Sequence, residues 1–196
     1  MKKKVIALIP AKKYSRRLPY KNSLDVLGKP MVQWAIDEAK KSNYLDNIYV
    51  STDDPKIKEV AHGAGVSVID RPYHLTIDPV GKREVLEQAL SVISRPDYIC
   101  LLQANSPQLK VEDIDAAIEK VVLSRGAVKD CCSMNKETLF TDGAVRVFEY
   151  NVVFKQGPGM YQSCILTDYI DVHTPEDLEK VKKIMMEDPY YKSLDV

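Results

Sequence analysis

The sequence predicts an α/β fold built on a mostly parallel β-sheet, and two patterns carry that prediction. Short, almost continuous apolar runs recur at residues 4–9, 47–51, 66–69 and 98–103, as expected for strands covered on both faces. Between them lie segments whose apolar residues return at helical spacing. Such alternation folds into a parallel sheet with right-handed crossovers and helices on both faces.

The elements follow in order. The strand at 4–9 leads into a polar, basic loop from Pro10 to Lys29. Pro30, near the first helical position, opens a helix carrying Met31, Val32, Trp34, Ala35 and Ala39. After the strand at 47–51, Asp54-Pro55 starts a second helix, which Gly63 and Gly65 end. The strand at 66–69 gives way to turn chemistry between Arg71 and Gly81, then to a helix at 84–93 and the strand at 98–103. Ile114, Ala117, Ile118, Val121 and Val122 mark a helix at 111–123. Thr174 caps a last helix at 175–186, with Glu176 and Asp177 at its positive end. Residues 127–170 break the rhythm with Gly143, Gly157, Pro158 and Gly159. Candidate strands at 144–148 and 152–154 predict a return to the sheet with a small β excursion. Without repeat, low-complexity tract or linker, a single domain over 1–196 is expected.

Composition narrows the function. Lys plus Arg and Asp plus Glu are 28 each, so the formal net charge is zero. This argues against a general electrostatic grip on nucleic acid, though not against a local basic site. No apolar run approaches the roughly 20 residues that cross a bilayer. Met1-Lys2-Lys3-Lys4 looks like a signal n-region, but Val5 to Ile9 is too short for the apolar region behind it. Cys100, Cys131, Cys132 and Cys164 form no CxxC pair and suit reduced, mostly buried thiols of a cytoplasmic protein. Neither nucleic acid nor a membrane is an expected partner.

In sheets of this class ligands bind beyond the carboxyl ends of the strands. The most informative loop there runs from Pro10 to Asn22, with Lys12, Lys13, Arg16, Arg17 and Lys21 inside ten residues. It lacks the glycines and the GK[ST] ending of a Walker loop. By charge alone it is either a solvated basic loop or a phosphate grip made of side chains, with lysine a mobile point charge and arginine a donor fork.

The segment Ile9-Pro10-Ala11-Lys12 through Ser15, Leu18-Pro19 and Lys21-Asn22 resembles the opening signature of cytidylyltransferases that activate acidic sugars, the acylneuraminate (CMP-sialic acid) and Kdo types. Further motifs agree in order: Leu27-Gly28-Lys29-Pro30, Val50-Ser51-Thr52-Asp53-Asp54, Arg71-Pro72 with Leu75 and Asp78, Leu101-Leu102-Gln103 with Ser106-Pro107, and Ile170-Asp171 with Thr174-Pro175-Glu176-Asp177-Leu178. The resemblance implies a three-layer, Rossmann-like nucleotidyltransferase fold. It also implies coupling of CTP to a sialic-acid-like sugar, giving a CMP-sugar and pyrophosphate, in a homodimer. The other readings are a Kdo-type enzyme and a CTP-binding regulatory protein without turnover.

The resemblance also assigns residues. Lys12 and Lys21 would contact the triphosphate and stabilise the departing pyrophosphate, with Arg16 helping. Asn22, Arg71 and Asp78 would lie on the nucleotide side. On their residue types alone, Asn22 is a loop cap, Arg71 a surface ion pair and Asp78 a turn residue. Gln103 would address the sugar, or else is a buried amide held by packing. Asp171 is the candidate Mg²⁺ ligand. His173 stands where the family commonly has a second aspartate, and imidazole suits Mn²⁺ or softer metals better. Lys12 replaces the family's usual arginine, and Asn105 its threonine. Lys82 either reaches phosphate or faces water. The excursion at 127–165 is shorter than in sialic acid enzymes, and Phe140 to Val145 only loosely resembles the family's segment there.

Overall fold

The computed structural model describes residues 2–77, 80–154 and 162–194. Its main sheet has seven strands, ordered β5-β4-β1-β6-β8-β7-β9. β1 (Val5–Pro10) lies at the centre, between β4 (Asn47–Thr52) and β6 (Tyr98–Leu102), parallel to both, and β5 (Ser67–Asp70) extends the sheet beyond β4. β8 (Thr141–Glu149) is the antiparallel member, inserted between β6 and β7 (Asp130–Asn135); β9 (Gln162–Thr167) then pairs with β7 in parallel. The expected α/β architecture is therefore present, and the β excursion is part of the main sheet.

Helices cover both faces. One core joins β1, β4, β6 and β8 to α1 (Met31–Lys41), α2 (Pro55–Gly63) and α4 (Val111–Val122) through Ala7, Ile9, Ile36, Ile57, Leu102, Ile114, Ile118 and Val145. Ile6, Leu8, Ile99, Leu101 and Phe148 point to the other face and meet Leu86, Ala89 and Leu90 of α3 (Lys82–Val92). That alternation, with both sets buried, explains why the strands read as unbroken apolar runs. Cys100 and Cys131 are buried, whereas Cys132 and Cys164 are half-buried; all four are free thiols. Burial pushes the Cys131 thiol up to about 12, so it stays protonated and unreactive near neutrality.

Three local features differ from the sequence expectation. The long loop before α1 contains a 3₁₀ turn at Lys21–Ser23 and a hairpin of β2 (Asp25–Val26) and β3 (Lys29–Pro30). Its two turn residues, Leu27 and Gly28, have φ of 51° and 83°, the sign required by a tight two-residue hairpin. Pro30 is the residue preceding α1, one position earlier than expected. Residues 152–154 belong to a 3₁₀ segment, Tyr150–Phe154, instead of a strand; Tyr150 N–H bonds to Asp97 O at 2.9 Å and draws the chain across the sheet's end. Gly157, Pro158 and Gly159 lie outside the described residues.

A third cluster anchors the basic loop. Leu18 and Val26 pack with Met31 and Trp34 against Val172 and against Leu178, Val181 and Met185 of α5 (Pro175–Glu187). Trp34 is fully buried and its Nε1–H donates to Val26 O at 2.9 Å. α5 begins in a capping box: Asp177 N–H donates to Thr174 Oγ1 at 3.2 Å, and Thr174 N–H to Asp177 Oδ2 at 2.8 Å. Thr174→Ala is expected to cost about 1 kcal/mol of stability, read as a lowered denaturant midpoint at constant m-value.

Candidate active site

The carboxyl ends of β1, β4, β5 and β6 point to one edge of the sheet, and a cleft of about 340 Å³ opens there. Lys12, Lys21, Asn22, Arg71, Gln103, Asp171 and His173 all line it. Residues far apart in sequence but named by separate motifs thus meet at one place. Arg16 is exposed and lies outside the cleft wall. Asp78 is outside the described residues.

Each side chain is held by its surroundings. Lys13 N–H bonds to Asp53 Oδ1 at 2.8 Å, which ties the basic loop to the end of β4. Asn22 is buried and its Nδ2–H donates to the Lys12 carbonyl at 3.0 Å. It therefore does cap the loop, and in doing so fixes the backbone that carries Lys12. Arg71 is buried rather than a surface ion-pair residue. Its guanidinium donates to Ser51 Oγ at 3.3 Å and to Ser51 O at 2.9 Å, both at the end of β4. Burial lowers its pKa to about 10, which leaves it cationic near neutral pH.

A hydrogen-bonded chain crosses the cleft floor. Asn105, just past β6, donates from Nδ2 to Asp171 Oδ1 and, at 3.0 Å, to Val172 O. Val172 N–H donates in turn to Asn105 O at 2.9 Å. His173 Nε2 lies 2.8 Å from Asp171 Oδ2, and its Nδ1 lies 3.3 Å from Lys21 Nζ. Lys21 Nζ also donates to Val172 O at 2.8 Å. An ammonium has only donors, so Nδ1 acts as acceptor and Nε2 carries the proton given to Asp171. Burial, opposed by Asp171 and assisted by the Lys21 and Arg17 cations, lowers the His173 pKa below its ordinary value. Burial likewise lowers Lys21 to about 8, against the attraction of Asp171.

The donor set decides how a metal would be held. Asp171 keeps a lone pair on each oxygen beyond the bonds to Asn105 and His173, so it fits a Mg²⁺ that takes one carboxylate and fills its shell with phosphate oxygens and water. Both ring nitrogens of His173 are engaged, with Lys21 and Asp171. Among the described residues no group of three or more His, Cys, Asp or Glu is arranged to hold a metal ion by itself.

Two participants were not singled out from the sequence. Ser51 holds Arg71, and Asn105 holds Asp171. Asn105 was visible only as an amide in place of the family's threonine, with nothing local to reveal a partner 66 residues away. Ser51 stands in the Val50–Asp54 motif, which carries no sign that it holds Arg71.

The sequence matches the cytidylyltransferase family over residues 6–189. This chain belongs to the cytidylyltransferase family. It is 33% identical to the pseudaminic acid cytidylyltransferase of Campylobacter jejuni over 125 residues, covering 61% of this chain and 53% of that protein. It is 32% identical to the N-acylneuraminate cytidylyltransferase of Escherichia coli over 132 residues, covering 67% of this chain and 31% of that protein. The chain thus spans about half the length of the first relative and about a third of the second. Among solved structures, a CMP:2-keto-3-deoxy-manno-octonic acid synthetase complexed with CTP superposes with a TM-score of 0.75 at 18% identity, covering 94% of this chain and 99% of that one. This likeness establishes the shared nucleotidyltransferase fold. No helix among the described residues is long and apolar enough to cross a membrane.

Proposed function

We propose that this cytidylyltransferase-family chain couples CTP to a sialic-acid-like sugar acid, releasing pyrophosphate. The observation that carries the reading is the convergence of Lys12, Lys21 and Arg71 with Asp171 and Gln103 in one cleft at the switch edge of the sheet. The sugar's anomeric oxygen attacks the α-phosphorus of CTP and passes its proton to water. The bond from that phosphorus to the bridging oxygen of the β-phosphate breaks, and pyrophosphate leaves. Lys12 and Lys21 neutralise charge that grows on the leaving group. Arg71 and Asn22 orient the cytidine, and Gln103 addresses the sugar. Asp171 would hold a divalent ion, Mg²⁺ or Mn²⁺, with phosphate oxygens and water completing its shell, and such an ion would add charge neutralisation on the triphosphate. In this reading His173 serves Lys21 and Asp171 instead of the metal.

The deciding experiment measures pyrophosphate release from CTP with Mg²⁺ or Mn²⁺ over sialic, legionaminic, pseudaminic and Kdo acids. Release with a sialic-type acid supports the reading, and release with Kdo alone moves the chain to the Kdo branch. CTP-selective thermal stabilisation without release from any acid would make it a binding protein without turnover. Absence of both would reject the nucleotide assignment.

The reading extends to a cytoplasmic homodimer. Free cysteines support the compartment. The dimer draws support from β9, the edge strand of the sheet among the described residues, where Leu166 is exposed, and from Leu139 and Phe140, exposed in the turn before β8. Light scattering is expected to give twice the chain mass, and Phe140→Asp the mass of one chain.

A further inference from the structure

The cleft holds a cation and an amide that the nucleotide does not use. We propose that Lys82 and Gln103 form the subsite for the carboxylate of the sugar acid. This rests on the reading of the chain as a transferase acting on such an acid.

The argument begins with the sheet order. Arg71 follows β5, Lys12 follows β1, Gln103 follows β6, and the next strand is β8. Neighbouring strands lie about 4.8 Å apart. Of the groups assigned to the nucleotide, Arg71 and Lys12 lie over β5 and β1, and Lys21 is held by Val172 and His173 beside Asn105; Gln103 and the start of β8 lie one and two strands beyond Lys12. That end of the cleft is left for the second substrate.

Lys82, the first residue of α3, reaches this end. Its Nζ lies 3.7 Å from the position a Cβ on Gly143 of β8 would occupy. Gly143 has φ of 71°, a conformation that favours glycine, so the wall facing the ammonium is bare backbone. That wall is firmly set. Asp142 accepts hydrogen bonds from Ser133, Thr167 and, at 3.0 Å, the Ala144 N–H. Gln103 N–H bonds to Ala144 O at 3.0 Å, which ties the end of β6 to the same spot.

Both groups have donors to spare. Lys82 is exposed and its side chain forms no hydrogen bond or ion pair with any described residue, and Gln103 Nε2 is buried without a partner among the described residues. A half turn of the Gln103 amide, which exchanges its oxygen and nitrogen positions, would bring its N–H groups toward a bound acid. An ammonium beside an amide N–H₂ offers only donors. The complement is an anion with two acceptor oxygens, and the sugar acid brings a carboxylate. In the proposed function the phosphates are served by Lys12 and Lys21, which leaves these donors to the acid.

Steady-state kinetics of Lys82→Met and Lys82→Arg test the assignment against two acceptors: the best sugar acid, and the same sugar with its carboxylate reduced to a primary alcohol. Losing a charge-assisted bond is expected to raise the KM for the acid roughly tenfold to a hundredfold in Lys82→Met. The KM for CTP should stay within about twofold, and Lys82→Arg should recover most of the loss. For the alcohol, the unsubstituted chain and Lys82→Met should be indistinguishable. A raised KM for CTP, with that for the acid unchanged, would make Lys82 a phosphate contact and overturn the proposal. So would equal losses on acid and alcohol, or no loss at all. If the unsubstituted chain turns over no sugar acid, the functional reading itself fails and the subsite falls with it.

Discussion

Lys21→Met is expected to lower kcat/KM for CTP by about two to three orders of magnitude, the range seen when a fixed donor is removed from a charge that develops in the transition state. The geometry makes this a clean test. Lys21 is buried, and its Nζ is held between Val172 O and His173 Nδ1. Methionine fills a similar volume without the charge. Val172 O keeps the hydrogen bond from Asn105 Nδ2, and half-exposed His173 can take water in place of the ammonium. No buried acceptor is orphaned.

The same substitution should affect stability in the opposite sense. Burial lowers the Lys21 pKa from 10.5 to about 8. Between those values the unfolded chain binds more protons than the folded one, so stability from this group rises with pH across that window. Below about pH 8 the folded chain carries a buried cation at a cost. Lys21→Met should therefore unfold at a higher temperature than the unsubstituted chain at pH 7, while losing turnover. In the unsubstituted chain, kcat/KM for CTP should fall as pH rises through about 8, because this parameter reports ionisations of the free enzyme. A stabilised variant with near-normal kinetics would remove Lys21 from the chemistry. A variant that is both slow and destabilised would point to a structural role.

What the sequence revealed depended on the range of the underlying interaction. β1, β4 and β6 are legible because their two-sided burial writes itself into consecutive residues. β7 and β9 are not: Asp-Cys-Cys-Ser-Met-Asn and Gln-Ser-Cys-Ile-Leu-Thr have no clean period. Their pairing with each other and with β8 is decided by partners far along the chain. The hairpin before α1 hides in a loop because a left-handed leucine at position 27 is not a turn signal, although Gly28 is. The site divides in the same way. Lys21, Arg71, Gln103 and Asp171 sit in local motifs, and the fold brings all four to one cleft. The link from Asp171 through His173 to Lys21 joins residues 152 positions apart and has no local signature. His173 could be marked from sequence as a departure, but its two partners could not.

That link sets the terms for Asp171→Asn. The amide keeps the carboxylate's shape and can still accept from Asn105, but it loses the charge and confronts the His173 Nε2 proton with a second donor if its nitrogen faces the ring. If Asp171 is the metal's protein ligand, turnover at fixed Mg²⁺ should fall by about two to three orders of magnitude, and the Mg²⁺ needed for half-maximal rate should rise at least about tenfold. A second signature comes from Lys21. Asp171 raises the Lys21 pKa against the larger effect of burial, so neutralising it should move the falling limb of the pH profile to lower pH. The two readouts separate two roles for one carboxylate. A shifted pH limb with an unchanged metal titration would leave Asp171 acting through Lys21 and His173 alone. A shifted metal titration with an unmoved limb would make it a metal ligand with little hold on the lysine. Movement in both is the expected result, because each oxygen of Asp171 has one bond within the protein and one lone pair left to give.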